Sequence, residues 1–153
     1  MTHIANIRAL FLQPHPTYPI AEAASLLGMD WRDVRSWIES GELEGVETEQ
    51  GLVLPWAELV SFAMDFWSQE VVEEALGAEL ADAIPELLRL TELEVRIPRI
   101  EVVALERLAA RNGKSVDSVL ARELRDLVSV HAAWLSQDVP GFAAAFAWPE
   151  VAV

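Results

Sequence analysis

The sequence predicts a mainly helical fold divided into two small modules, and three observations carry that prediction. Apolar residues recur at three- and four-residue steps through most of the chain. Stretches with strand character are confined to two places, around residues 46–54 and 94–98. Charge is also divided: residues 17–65 hold two Arg against ten acids and residues 66–92 one Arg against seven, whereas residues 93–128 hold seven Lys/Arg against six. The segments expected are an extended arm (1–16), a first module (17–65), a helical connector (66–92), a second module (93–128) and a helical, apolar tail (129–153).

Composition narrows the function classes. An apolar share of 52% supports a buried core, so wholesale disorder is excluded. The chain has no cysteine, hence no disulfides or thiolate metal sites, which fits a cytoplasmic protein. The uncharged stretch Val139 to Pro149 contains Pro140 and Gly141 and is too short to span a bilayer. A net charge of −14 opposes nonspecific attraction to nucleic acid. The six tryptophans are many for this length; core filling accounts for them first, a partner surface second.

The arm ends in Pro14-His15-Pro16, an extended lead-in. His3 and His15 have no partners at metal-ligand spacing. A short helix follows over residues 20–27, its apolar face at Ile20, Ala23, Ala24 and Leu27, stopped by Gly28. Asp30 caps a second helix through Glu39, with Val34, Trp37 and Ile38 on its buried face, and Gly41 ends it. Val46, a turn at Glu49-Gln50-Gly51 and Leu52-Val53-Leu54-Pro55 form a small hairpin. Trp56 opens a third helix through Phe66 or beyond.

Helix, tight turn, helix, hairpin, helix, together with the runs Ala23-Ala24-Ser25-Leu26-Leu27-Gly28 and Gly41-Glu42-Leu43, resembles the winged helix-turn-helix of phage excisionases and MerR-type regulators. In that family the second helix enters the major groove and the wing grips phosphate, which implies DNA contact by Arg32 and Arg35. The sequence departs where binding would occur. Asp30 and Asp33 flank those arginines, and the wing reads Glu47-Thr48-Glu49-Gln50, which repels phosphate. The fold is expected with weak or lost DNA contact.

Residues 66–92 read as a solvated amphipathic connector, apolar at Phe66, Trp67, Val71, Val72, Leu76, Leu80, Ile84, Leu87 and Leu88 and interrupted at Gly77 and Pro85. Glu94-Val95-Arg96-Ile97-Pro98 then alternates like a strand, Val95 and Ile97 on one face and Glu94 and Arg96 on the other. Leu105, Leu108 and Ala109 mark a helix ended by Asn112-Gly113. Ser115 caps another, striped with Val119, Leu120, Leu124, Leu127 and Val128.

The Val-Arg-Ile-Pro strand, the Leu-x-x-Leu-Ala helix and the Arg111-Asn112-Gly113-Lys114-Ser115 turn resemble a ribbon-helix-helix protein, the class of Arc- and MetJ-type repressors and many antitoxins. One such strand cannot bury its inner face alone, so the resemblance implies a homodimer with paired strands. It also implies that Glu94 and Arg96 face bases while Lys114, Ser115 and Val116 meet the DNA backbone at a helix N-terminus. Arg96 suits guanine and Glu94 can accept from cytosine. The alternative is that this unit serves only for dimerisation.

The tail continues helically to about Gln137, breaks at Pro140-Gly141 and ends in a nearly uncharged segment. Trp134, Phe142, Phe146 and Trp148 are its candidate partner-binding residues; in antitoxins of the resembled class the corresponding segment wraps a toxin. Enzyme chemistry fails on inventory: three scattered histidines, one tyrosine, no phosphate loop and no His-Glu pair at metal spacing. No catalytic residue, cofactor or metal is expected. The leading expectation is an antitoxin-like transcriptional regulator binding operator DNA and a partner protein, possible partners including a toxin. The competing one is a protein-interaction adaptor without DNA binding.

Overall fold

The computed structural model describes residues 2–150; Met1 and residues 151–153, the outer ends of the expected arm and tail, lie outside the described residues. The chain is mainly helical, with one small antiparallel sheet. It divides into two units, residues 2–90 with 147–150, and residues 91–146.

The first unit opens with α1 (Thr2–Leu12). This corrects the extended arm: Ile7, Leu10 and Phe11 are buried at helical spacing, packed on helices that follow. Pro14 limits the helix, because it has no N–H to offer the Leu10 carbonyl. The indole Nε1 of Trp56 donates to that carbonyl instead, at 2.9 Å. Next come β1 (Thr17–Pro19), α2 (Ile20–Leu27), α3 (Trp31–Ser40), β2 (Val46–Thr48), β3 (Gly51–Pro55) and α4 (Trp56–Phe66). Gly28 and Gly41 close α2 and α3 in the left-handed region, φ 71° and 87°.

The sheet order is β1-β3-β2, with Tyr18 opposite Leu54 and Val46 opposite Val53. Strand β1 was not expected from the sequence. It buries Tyr18, whose hydroxyl accepts from the His15 amide at 2.9 Å. Burial pushes the Tyr18 phenol above its ordinary pKa.

After α4 the chain forms α5 (Gln69–Leu76), a 3₁₀ turn over residues 77–79, α6 (Leu80–Ala83) and a second 3₁₀ turn over 86–88. Gly77 and Pro85 interrupt it where the sequence placed the breaks. The solvated connector is nevertheless corrected, because Val72, Leu76 and Ile84 are fully buried in the core with Leu10, Leu27, Leu54 and Leu59. The exposed apolar side chains of the segment are Phe66, Val71, Leu87 and Leu90. Arg8 on α1 donates to the Ala75 and Leu76 carbonyls at the end of α5, 3.2 Å each, and pairs with Glu79 at 2.9 Å. A cation there complements the helix dipole.

The second unit contains α7 (Arg99–Asn112), α8 (Val116–Val130), α9 (Ala132–Asp138) and α10 (Phe142–Ala147, whose last residue belongs to the first unit). Gly113 ends α7 at φ 64°, and Ser115 caps α8 by accepting from the Ser118 amide at 3.1 Å. The alternating stretch 94–98 is not a strand in the single chain. The reason is physical: a strand is defined by a ladder partner, and nothing among the described residues pairs with it. Ala109 and Ala145 are the unit's buried hydrophobic residues; Leu93, Val95, Ile97, Ile100, Leu108, Leu124, Leu127 and Val130 stay exposed. No helix among the described residues is long and apolar enough to cross a membrane.

Candidate nucleic-acid and partner interfaces

Two places carry the cations expected to meet DNA. The first is α3. Arg32 and Arg35 are exposed on it, so both reach solvent as a groove-entering helix requires. Neither is uncommitted. The Arg32 guanidinium lies 5.7 Å from the centre of the exposed Trp31 ring, and Arg35 pairs with Glu39 one turn on at 3.5 Å. The start of the helix is also occupied: Asp30 accepts from the Arg32 amide at 2.9 Å, and Asp33 sits in the first turn. A carboxylate already fills the place where a phosphate would dock. At the wing, Glu47 on β2 and Glu49 in the β2–β3 turn are both exposed.

The second place is the start of α8. The backbone turn at Gly113 brings Lys114, Ser115 and Val116 together there, the Lys114 amide donating to the Ala109 carbonyl at 2.9 Å. Lys114 and Ser115 are exposed and Val116 is half-buried. Of the orphan amides in the first turn, that of Ser118 is taken by Ser115, leaving those of Val116 and Asp117 for an anion. The Asp117 side chain in the same turn opposes one. Glu94 and Arg96 are exposed on the irregular segment before α7. Their expected opposite-facing alternation with Val95 and Ile97 has no sheet to define it in one chain.

The expected partner-binding residues divide. Trp134 on α9 is 62% exposed, and Phe142 and Phe146 on α10 stack on each other at 5.6 Å with Phe146 half-exposed. Trp148 is half-buried: it packs on the core of the first unit, edge-on to Trp56 with ring centres 6.3 Å apart, and Pro149 beside it is buried. Packing on its own fold leaves only part of the Trp148 side chain open to a partner.

An aromatic cluster that the sequence analysis does not single out stands half-open. Trp37, Phe62 and Phe66 meet at 4.5 to 6.3 Å, and Phe66 is 44% exposed. The four-residue step from Phe62 to Phe66 was a legible signal for it. No group of acidic or His side chains able to hold a metal occurs among the described residues. Comparison of the chain with protein-family models, with curated proteins and with solved structures returns no match.

Proposed function

We propose that the chain is an antitoxin-like DNA-binding regulator that works as a homodimer. Residues 94–98 of two chains pair into a ribbon, with Arg96 and Glu94 reading bases and the start of α8 holding backbone phosphate. Trp134, Phe142 and Phe146, together with the acidic first unit, bind a partner protein. The observation that carries this reading is the state of the second unit. Its helices leave Val95, Ile97, Leu108, Leu124 and Leu127 about 40–55% exposed, with two alanines as its buried hydrophobic residues. A unit that apolar lacks a core until a second copy supplies one. The same stretch carries seven of the chain's eleven basic residues.

The test is operator binding by Arg96→Ala, using DNA selected from a random pool by the wild-type protein. A lost bidentate contact to guanine is worth about 1–3 kcal/mol, so affinity should fall roughly five- to 150-fold and preference at one base should relax. Unchanged affinity in a measurable complex rejects the ribbon assignment.

The adaptor reading, dimerisation without DNA, draws its support from the carboxylate seated at the start of α3 and from the acidic wing. Salt dependence separates the two. Contact with several phosphates weakens steeply as salt rises, whereas an adaptor binds no DNA even at low salt.

A further inference from the structure

The acidic first unit has a feature that its DNA-binding resemblance does not use. Beside the end of α3, an open cavity of about 400 Å³ is lined by Ile38, Leu43, Val46 and Pro55, with Glu44 and Glu58 at its edge. Glycine at residue 45 lets the chain pass tightly over Leu52 and Ile38 beside this cavity: a Cβ there would come within 2.8 Å of Leu52 and 3.3 Å of Ile38. Glu58 is held in place by accepting from the Glu44 amide at 3.0 Å. From Glu58, four-residue steps along α4 lead to Phe62 and Phe66, and Trp37, next to Ile38, completes the aromatic cluster. Cavity and cluster thus lie along the same two helices, α3 and α4, as one strip with Glu58 between them. Its length along α4 is about 12 Å, or two turns of an α-helix, before the wing end is added.

The charge around this strip is predominantly negative; Arg35, three residues before Ile38 on α3, is paired with Glu39. No Lys, Arg or His occurs from Ser36 to Leu88. Glu42, Glu44 and Asp65 are exposed, and neither they nor Glu58 has an ion-pair partner among the described residues.

We propose that this strip is the docking surface for a basic amphipathic helix of a partner protein. The partner's apolar side chains enter the Ile38–Val46–Pro55 cavity and lie across Phe62 and Phe66, while its Lys or Arg side chains reach Glu44, Glu58 and Asp65. Helix-in-groove binding needs both elements, an apolar floor and a rim of fixed sign. Duplex DNA is a poor occupant, since the rim repels phosphate. A second copy meeting this face with its own would set carboxylates against carboxylates. The proposal rests on the reading that the chain binds a protein partner, and it places that contact on the first unit rather than on the α9–α10 aromatics alone.

The test uses the full ¹⁵N-labelled chain and two synthetic helical peptides of roughly twelve residues, three turns each. Both carry the same Leu/Trp stripe, one flanked by Lys and Arg, the other by Glu. The basic peptide should shift amides of residues 37–46 and 55–66. Phe66→Ser should weaken its binding about tenfold, as for a central aromatic anchor. Asp65→Lys, at an exposed position, should weaken it in a manner that added salt mimics. Equal binding of the acidic peptide, absence of shifts, or shifts confined to residues 91–146 would overturn the proposal. So would loss of self-association on Phe66→Ser, which would make the occupant a second copy. Capture of native protein by Phe66→Ser and by Trp134→Ser separates this surface from the wider reading. Retention by the first variant and loss by the second rejects the strip and leaves the partner-binding reading intact.

Discussion

Substituting Val95 by lysine should dissolve the proposed homodimer, and the size of the effect follows from its exposure. In one chain Val95 is 54% exposed, so about half of its burial remains to be gained on pairing. Full burial of a valine is worth about 1.5–3 kcal/mol, and half of that, counted twice by twofold symmetry, is about 1.5–3 kcal/mol per dimer. Dissociation should therefore be eased roughly twelve- to 150-fold by lost burial alone. Two ammonium groups facing each other across the ribbon add to this. Sedimentation equilibrium over a range of concentrations measures it, with far-UV circular dichroism to verify that each chain stays helical. Val95→Ile, which keeps the apolar face, should associate like the wild type. Refutation would be a Val95→Lys protein that associates as tightly as the parent, or a parent that is monomeric at high concentration.

Two further predictions concern the first unit. Trp56→Phe leaves the Leu10 carbonyl without its donor in a buried setting, which should cost about 1–3 kcal/mol; urea unfolding that shows no destabilisation would mean the indole does not cap α1. The hydrogen bond from Arg8 holds the Glu79 carboxyl below its ordinary value of 4.5. The stabilisation this represents is complete above that ordinary value and fades as pH falls through the depressed one, so wild type and Glu79→Gln should converge in acid. Stability curves that stay parallel down to the acid limit would contradict the pairing.

Much of the first unit is legible in its punctuation. Gly28, Asp30 and Gly41 each act locally, through a left-handed backbone or a side-chain cap, and they bound α2 and α3 within a residue of where the sequence places them. Asn112-Gly113 and Ser115 do the same for α7 and α8. What escaped depends on partners far along the chain. Ile7, Leu10 and Phe11 have helical spacing, but the prolines after them favour an extended arm. Val72, Leu76 and Ile84 lie on an amphipathic face, and periodicity alone does not tell whether such a face covers a core or meets solvent. Strand β1 is three residues long and is created by its ladder with β3. At the candidate interface, the acids of the wing and Asp30 were readable as residue types. The docking of Trp148 against Trp56 was not, because no local signal relates residues so distant in sequence.

That docking bears on how the chain's modules can be separated. The polypeptide leaves the first unit at Leu90 and rejoins it at Ala147, so the second unit is an insertion within the first rather than a domain hung from its end. A truncation made to remove the α9–α10 aromatics also withdraws Trp148 and strips the cover from Trp56. Lost binding in a shortened chain would then report a damaged first unit as readily as a missing contact. Point changes at Trp134 and Phe146, which leave both ends of the insertion fastened, are the variants that keep the two effects apart.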